Sequence, residues 1–332
     1  MNWENLWVRE KIIDVVRAYF KERGFHEVET PLLVKTPSTE PFLEVFETEL
    51  VDDVGKKQKR YLPTSPEFAM KKMLSAGSGS IFQITKSFRN GEGKSPKHSP
   101  EFTILEWYEV GGDYMTVVKD FEKLMREICQ ELGKKDNRLS YQGKTYDLGS
   151  SWEQITVTEA FERYADINQE TMLNEKKLKE VAIQKGYQIS RETTWEEVWN
   201  QIMANEIEPK LGQTRPTVIK DYPVSQAALA RKKSGDPRFA ERAEVYLGGM
   251  ELANIFSELT DWREQEARCK ADLAERKKLG KKEYPIDREF IEALKKGMPK
   301  TGGIAVGVDR LVMLMTDANK IEEVTIILGA MS

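Results

Sequence analysis

The residues best suited to chemistry lie in EFTILEWYEV (101–110), a segment whose pattern is typical of a strand. Alternate side chains of a strand lie on opposite faces, so Phe102, Glu106 and Tyr108 share one face. That face carries a carboxylate between two aromatic rings, and it follows a strand that ends near Arg89. Such a surface suits a cationic ligand, because an amine would find both a charge partner and ring faces.

A second group of candidate residues lies in AEVYLGGMELANIFSEL (243–259). The Gly-Gly pair predicts a two-residue turn, which sets Tyr246 opposite Glu251 and places Glu244 diagonally on the same face. Two carboxylates this close repel each other, and a hard cation with oxygen ligands, most simply Mg²⁺, would resolve the repulsion. The spacing is equally compatible with two carboxylates that face solvent.

The same period of two puts Asn254, Phe256 and Glu258 on one face beyond the turn. Together with Glu106 and Tyr108, they could line a pocket of carboxylates and rings that suits an amine. Each residue alone is better explained as a surface acid or a core aromatic, so the prediction depends on the whole set.

GGIAVGVDRL (302–311) predicts a glycine-rich strand that turns into a helix, with Arg310 in the first helical turn. Glycines allow a ligand or a backbone to approach closely, and an arginine at this place can reach a phosphate. Close packing of the strand against the helix explains the glycines equally well.

These residues need a scaffold, and the hydrophobic pattern predicts one that mixes strands and helices. The stretch from about 115 to 215 is dominated by helical patterns, which we interpret as an insertion or connecting region. The other predicted elements are a helix over 5–23, a hairpin over 42–62, a short helix from Ser65 to Gly77, strands over 80–89 and 216–223, a hairpin over 243–259 and a charged helix from about 260.

Composition limits the class of protein. The 332 residues are 39% hydrophobic and 32% charged, enough for one large or two modest domains, and the net charge of −4 gives no global attraction for polyanions. Two distant cysteines and two histidines do not build a zinc site or a disulfide framework. The amphipathic start is unlike a signal peptide and no apolar run reaches membrane-spanning length, so we expect a cytoplasmic protein with no membrane partner.

Three ordered segments resemble the class II aminoacyl-tRNA synthetases. FRN (88–90) with HSPEFTILEWYE (98–109) resembles motif 2, GGIAVGVDRL resembles motif 3, and FKERGFHEVETPLL (20–33) resembles motif 1, the dimer-forming helix and strand. The resemblance implies an α+β fold, the class II catalytic domain with an antiparallel sheet flanked by helices. It also implies one catalytic domain over 1–332, with a mainly helical insertion around 115–215.

Within the class, the chain is most similar to the lysine subgroup, through TSPE (64–67), EFTILEWYE and ELANIFSELTD (251–261). It opens directly at motif 1, like a paralogue that lacks the anticodon-binding domain and ligates lysine, preferentially β-lysine, to a lysine of elongation factor P. Ser65 and Ala305 carry this likeness, because the synthetases usually have alanine and glycine there. A methyl group added to a pocket wall changes substrate preference by about 1–3 kcal/mol.

The resemblance also implies individual roles. Arg89 and Arg310 would be the catalytic arginines, at the α- and γ-phosphates of ATP, and Glu244 and Glu251 would bind Mg²⁺. Phe102 would stack on adenine. The implied ATP-binding set is Arg89, Glu92, His98, Phe102, Glu244 and Arg310. The implied amino-acid set is Ser65, Glu67, Glu106, Tyr108, Asn254, Phe256, Glu258 and Ala305.

The implied reaction is an in-line attack by the amino acid's carboxylate on ATP, which gives an aminoacyl-adenylate and pyrophosphate. A carboxylate is already ionised at neutral pH, so no general base is needed. Arginines and metal would supply positioning and charge neutralisation. The implied partners are elongation factor P as acceptor and a second copy of the chain in a homodimer, whereas tRNA is not an expected acceptor.

Two alternatives remain open. One is a truncated lysyl-tRNA synthetase-like enzyme that acts on tRNA or makes a free adenylate-derived product, and the other is a non-catalytic binding or regulatory module. The non-catalytic alternative is disfavoured because the chain retains Arg89, Arg310, Glu244 and Glu251. The chain departs from the family at Ser99, at Ile255 and in a longer loop over 91–99, which leaves lysine versus β-lysine undecided.

Overall fold

The computed structural model describes residues 2–91, 95–190, 192–227 and 229–326. The chain forms two compact units: unit 1 comprises Met1–Asp113 with Glu258–Ser332, and unit 2 comprises Tyr114–Ser257. The helices are α1 (Trp3–Glu22), α2 (Glu67–Ser75), α3 (Tyr114–Glu131), α4 (Val157–Ala165), α5 (Gln169–Leu173), α6 (Glu175–Gln184), α7 (Trp195–Ile202), α8 (Trp262–Lys278), α9 (Arg288–Lys296) and α10 (Val308–Thr316). The strands are β1 (His26–Glu27), β2 (Glu47–Val51), β3 (Lys57–Tyr61), β4 (Ile81–Phe88), β5 (Glu101–Val110), β6 (Arg138–Tyr141), β7 (Lys144–Asp147), β8 (Glu153–Thr156), β9 (Thr217–Pro223), β10 (Phe239–Leu247), β11 (Met250–Ser257) and β12 (Thr301–Gly307).

Unit 1 is organised on the strand order β1-β4-β5-β12, in which β5 pairs antiparallel with both β4 and β12. Glu106 at the middle of β5 lies opposite Gln83 of β4 and Ala305 of β12. Two residues further along, Tyr108 lies opposite Gly303. Directly opposed residues share a face of the sheet, so all these side-chain positions lie on one surface.

Each face of these strands packs against its own helices. On the face opposite Glu106, the ring of Phe20 from α1 stacks on Phe82 and packs against the buried Trp107. Full burial of such side chains contributes about 1.5–3 kcal/mol each, which fixes the register of β5. On the Glu106 face, α2 and α9 pack with the strands in a core of Met70, Leu74, Ile81, Tyr108, Phe290 and Leu294.

Unit 2 has the strand order β11-β10-β9-β8, and α4 to α7 contribute to its core, where Phe161 and Trp199 stack at 5.4 Å. The turn between β10 and β11 is formed by Gly248 and Gly249, with φ of +59° and +72°. Left-handed backbone at both positions is what a type I′ hairpin turn needs, and glycine adopts it without steric cost.

The structure confirms the α+β class and most predicted elements outside the middle region. The pairing of β1 with β4 and of β8 with β9 is parallel, so the strand arrangement is mixed rather than wholly antiparallel. The middle region contains the short strands β6, β7 and β8 as well as helices, and the sequence pattern did not predict those strands. Among the described residues, no helix is long and apolar enough to cross a membrane.

Candidate functional site

A buried ion-pair network lies at the start of α2 in unit 1. Ser65 Oγ accepts a hydrogen bond from the backbone N–H of Glu67, the first residue of α2, at 3.3 Å. One helical turn later, the fully buried Lys71 places its Nζ 2.6 Å from Glu67 and 2.5 Å from Glu258 Oε2. Burial alone would lower the pKa of Lys71, but the charges of Glu258 and Glu67 outweigh it and raise that pKa. Lys71 is therefore an ammonium.

Glu106 and Tyr108 form a second buried pair on the same side of unit 1. The Tyr108 hydroxyl donates to Glu106 Oε2 at 2.9 Å. Burial and then the charge of Glu67 raise the pKa of Glu106 to about 8. Burial also raises the pKa of Glu258 to about 7, although Lys71 acts in the opposite direction. Both carboxyl groups therefore titrate close to neutral pH.

The charges of this carboxylate cluster (Glu67, Lys71, Glu106, Tyr108 and Glu258) do not balance among its own members. Three carboxylates face a single ammonium, which leaves two negative charges in excess when all are ionised. Glu258 Oε1 also has no hydrogen-bond partner in the described part of the chain. Buried charges are normally paired, and this cluster can reach balance either by taking up protons, in line with the raised pKa values of Glu106 and Glu258, or by accepting cations from a ligand.

Gly303 leaves the space beside these carboxylates. A Cβ at this position would lie 2.0 Å from Glu258 Oε1 and 2.7 Å from Tyr108 Cε1, far inside contact distance. Ala305, two residues along the same strand, lies opposite Glu106. The glycine at 303 is thus required by the side chains around it, and the methyl group at 305 shapes the neighbouring position.

A second region of unit 1 concentrates positive charge. The guanidinium of Arg89 lies 5.1 Å from the ring centre of Phe102, in cation–π geometry. Arg310 Nη2 lies 2.8 Å from His98 Nε2, and a guanidinium can only donate, so the imidazole accepts. Burial and then the charge of Arg310 lower the pKa of Lys97. This grouping fits a polyanion such as the triphosphate of ATP. The predicted ATP contact Glu92 lies outside the described residues.

Arg310 is held in place by its neighbour in α10. Asp309 accepts from Arg9 of α1 at 2.6 Å and from the backbone N–H of Thr103 at 2.7 Å. Arg9 also donates to the hydroxyl of Thr103 at 2.6 Å. The first turn of α10 is thereby fixed to β5 and α1, and the arginine that follows Asp309 is positioned with it.

In unit 2, Glu244 is surrounded by donors. Its Oε2 accepts from Tyr222 at 2.6 Å and from Tyr246 at 2.9 Å, and its Oε1 accepts from Arg242 at 2.6 Å. Burial would lower the pKa of Arg242, but Glu244 outweighs it and raises that pKa. The Glu244 cluster, which we define as Tyr222, Arg242, Glu244 and Tyr246, is thus compensated from within the protein.

A bulge in β11 decides which side chains share a face with Glu244. Val245 pairs with Ala253 and Tyr246 with Glu251, so Leu252 is an extra residue in the ladder. The shift brings Asn254 directly opposite Glu244.

The consequence is visible in the contacts of Arg242, which donates to Asn254 at 3.2 Å and lies 5.8 Å from the ring centre of Phe256. Ile255 is fully buried between these two, and the alternation of the strand turns it to the opposite face. It does not share the face of Asn254 and Phe256.

Glu244 and Glu251 lie on the wall of one cavity of about 250 Å³ in unit 2. The pairing of Tyr246 with Glu251 is the one that the Gly-Gly turn predicts. Two carboxylates on one wall fit Mg²⁺, because this ion is usually held by one or two carboxylates and completes its shell with water and phosphate oxygens. Among the described residues, no group of three or more His, Cys, Asp or Glu side chains is placed to hold a metal ion.

The predicted site residues therefore divide between the two units. Unit 1 brings together Glu67, Glu106, Tyr108 and Glu258, and separately pairs Arg89 with Phe102 and Arg310 with His98. Unit 2 brings Glu244 together with Asn254 through Arg242. Sequence reasoning missed four contributors: Lys71, Tyr222, Arg242 and Gly303. Among them, only Gly303 had a sequence signal, since it lies in the glycine-rich strand.

The antiparallel strands β4, β5 and β12, the two arginine sites and the buried acidic groups agree with a catalytic domain of the class II synthetase type. The family described as tRNA synthetases class II (D, K and N) matches residues 2–327, and the chain belongs to this family. The match covers nearly the whole sequence, as the three motifs predicted.

Several relatives of the chain are ligases. It is 40% identical over 327 residues to the "Elongation factor P--(R)-beta-lysine ligase" of Mannheimia succiniciproducens, covering 97% of this chain and 94% of that protein. The protein of the same name from Avibacterium paragallinarum is 39% identical over 327 residues, with the same coverage. That from Vibrio cholerae serotype O1 is 39% identical over 322 residues, covering 96% of this chain and 93% of that protein.

Proposed function

We propose that this protein is an ATP-dependent ligase that activates lysine or β-lysine as an adenylate and transfers it to a lysine side chain of elongation factor P. The observation that carries the proposal is the charge excess of the carboxylate cluster in unit 1. When all three carboxylates are ionised, two negative charges there are uncompensated, and a diamino acid brings two ammonium groups. The names of the relatives support β-lysine as the amino acid and elongation factor P as the acceptor.

The amino acid is held through its ammonium groups. The carboxylates of Glu106 and Glu258 each receive an ammonium, and Tyr108 fixes the orientation of Glu106 through its hydroxyl. The ammonium of Lys71 contacts both Glu67 and Glu258 and so offsets the repulsion between these two carboxylates. The assignments of Asn254 and Phe256 as further contacts remain predictions.

The reaction itself needs charge neutralisation more than proton transfer. An oxygen of the amino acid's carboxylate attacks the α-phosphorus, the bond to the β-phosphate breaks, and pyrophosphate leaves. Arg89 and Arg310 stabilise the charge on the phosphates, and Phe102 offers its ring to adenine. Glu244 and Glu251 would hold Mg²⁺, which neutralises phosphate charge when bound. In the second step the acceptor amine attacks the carbonyl carbon and AMP leaves.

Exchange of labelled pyrophosphate into ATP tests the first step, with a panel of lysine, β-lysine, ornithine, arginine and norleucine. Exchange is expected with lysine or β-lysine and not with norleucine, which lacks the second ammonium. Glu106→Gln should abolish most of this selectivity, and Glu101→Gln on the exposed start of the same strand is its matched control.

Intact mass measurement of elongation factor P tests the transfer step. A gain equal to one lysyl residue is expected only with ATP and the amino acid present. Aminoacylation of tRNA without any mass gain on elongation factor P would overturn the proposed acceptor, and absence of amino-acid-dependent exchange would overturn the enzymatic proposal altogether.

We also propose that the protein acts as a homodimer through α1. Trp3 and Trp7 stack at 5.7 Å on this helix, and each is 56% exposed. Adjacent exposed tryptophans are typical of protein interfaces. Sedimentation equilibrium should give twice the chain mass, and Trp3→Glu with Trp7→Glu should return the monomer. A wild-type monomer at micromolar concentration would contradict this part of the proposal.

A further inference from the structure

A buried amide on β4 has no role in the site as described so far. Gln83 is only 2% exposed, and neither its Oε1 nor its Nε2 has a hydrogen-bond partner in the part of the chain that the structure describes. An amide carries two donors and an acceptor, and leaving such a group unsatisfied in a protein interior is costly. Most buried polar groups are paired, so each exception requires an explanation.

The position of Gln83 supplies that explanation. It lies directly opposite Glu106, whose other strand neighbour is Ala305. Opposed residues of an antiparallel pair have Cβ atoms about 4.5–5.5 Å apart on the same face. Gln83 and Ala305 therefore flank the carboxylate that we assign to a substrate ammonium.

We propose that Gln83 is a specificity-determining residue of the amino-acid site: its amide oxygen accepts a hydrogen bond from the substrate ammonium that Glu106 compensates. This inference rests on the proposed function of the carboxylate cluster. An ammonium has three donors, and a single carboxylate does not use all of them. Gln83 adds an acceptor on one side of Glu106 without adding a further acid to a cluster that already has three carboxyl groups and one ammonium.

The chemistry of the neighbours favours the ammonium as the missing partner. Glu67, Glu106 and Glu258 are acceptors when ionised, and the ammonium of Lys71 already contacts two of them. A cationic ligand is the donor that this face lacks. A hydrogen bond to the amide oxygen of Gln83 is directional, so this residue selects where along the face the ammonium lies. The carboxylates mainly select for the positive charge of the ligand.

The test compares Gln83→Leu with wild type and with Thr85→Val. Thr85 lies on the same strand and face, opposite Ile104, and it is half-buried. Gln83→Leu is expected to raise the KM for the amino acid about tenfold, equivalent to about 1.4 kcal/mol, with kcat and the KM for ATP within about twofold of wild type. Thr85→Val should leave all three near wild type.

Thermal unfolding gives a readout that separates binding from structure. Gln83→Leu removes an unpaired buried amide, so the Tm of the free protein should rise, while the increase in Tm on adding lysine or β-lysine should fall. Gln83→Met, which is flexible and of similar length, repeats the comparison if the leucine variant does not fold. An amino-acid KM within twofold of wild type in a folded variant would overturn the inference.

The two proposals fail in different ways. If wild type exchanges pyrophosphate with lysine or β-lysine and the Gln83 variants do so with unchanged KM, only the inference about Gln83 is wrong. Calorimetric titration of lysine and of β-lysine into the wild-type protein measures whether either amino acid binds. If wild type neither binds nor activates either amino acid, the proposed function and the inference are both overturned.

Discussion

Buried carboxylates in the two units differ in how many of their oxygens have a donor within the protein. In unit 2, the oxygens of Glu244 accept hydrogen bonds from Tyr222, Tyr246 and Arg242. In unit 1, Glu258 contacts Lys71 through one oxygen, and the other oxygen has no partner in the described residues. Each oxygen of Glu244 thus has a donor within the protein, whereas the carboxylate cluster of unit 1 has three carboxyl groups for one ammonium.

This difference separates two uses of a buried acid. A carboxylate compensated from within the protein has a fixed position, which suits a group that must present an oxygen to a ligand or a metal. A buried carboxylate that lacks a cation takes up a proton near neutral pH, in line with the raised pKa values of Glu106 and Glu258, and a bound cation would favour loss of that proton. Five predictions test this contrast, and the first four run from the largest expected effect to the smallest.

The largest effect is expected from Lys71→Met. The variant leaves Glu67 and Glu258 buried without their cation, and loss of one partner of a buried ion pair costs about 3–5 kcal/mol. Urea denaturation at pH 8 measures this cost. Lys72→Met is the matched control, because Lys72 is partly exposed and pairs with Asp287 at 2.9 Å, and such a pair contributes about 1 kcal/mol at most. Equal costs for both variants would contradict the assigned role of Lys71.

Arg242→Met tests the Glu244 cluster of unit 2, in which the carboxylate is compensated by donors of the protein. Glu244 would keep its two tyrosine donors but lose its cation, so we expect a loss of about 3 kcal/mol in the free energy of unfolding. Tyr246→Phe removes one hydrogen bond to the same carboxylate and should cost about 1.5 kcal/mol. If the tyrosine variant were the more destabilised of the two, internal charge compensation would not be the basis of this network.

Gly303→Ala should affect substrate binding more than folding. Its methyl group would fall 2.0 Å from Glu258 Oε1, so the side chain must move away from its binding position. We expect the KM for the amino acid to rise about 100-fold, equivalent to about 2.7 kcal/mol. Gly307→Ala is the control on the same strand, because a Cβ there meets its nearest neighbour, in Arg310, at 3.7 Å. A normal amino-acid KM in Gly303→Ala would show that Glu258 does not contact the substrate.

The pH dependence of substrate binding tests the titration of the carboxylate cluster through a gradual change in KM. In the unliganded protein the pKa of Glu106 is about 8 and that of Glu258 about 7, both above the usual 4.5. A cationic substrate prefers the ionised carboxylates, so its KM should fall about tenfold per pH unit from pH 7 to 8 and level off above. Glu106→Gln should remove the upper part of this profile. A profile that is flat from pH 6 to 9 would contradict the titration of the cluster.

The stability of the unliganded protein should change in the opposite direction. Carboxyl groups with raised pKa values bind more protons in the folded than in the unfolded state between about pH 4.5 and 8, so their contribution to stability is lost as the pH rises through this window. Saturating amino acid should reduce that loss, and chemical denaturation with and without ligand measures it.

The sequence predicts the parts of the site that depend on strand alternation. The shared face of Glu106 and Tyr108 and the pairing of Tyr246 with Glu251 follow from a period of two and a glycine turn, and both are confirmed. The α+β class and the antiparallel pairing of β4, β5 and β12 are likewise confirmed. These features are local or follow from the three ordered motifs.

Features that depend on tertiary context could not be predicted in this way. Nothing in the residues around Leu252 signals the bulge, which depends on how β10 and β11 pair. Lys71 has the sequence pattern of an ordinary helix lysine, and only its burial between two carboxylates reveals its role. Arg242 and Tyr222 come from different strands and meet only through the register of β9 and β10.

The contact of Asp309 with Arg9 joins residues 300 positions apart in the chain. Because of this contact, we expect local unfolding of α1 and of α10 to be coupled. Opening of α1 would remove a partner of Asp309, and opening of α10 would release the same contacts from the other side. A ligand bound at Arg310 would stabilise α10 and, by linkage, slow amide hydrogen exchange in α1. The first helix of the chain would then report, through its exchange rates, on occupancy of a site at the other end of the sequence.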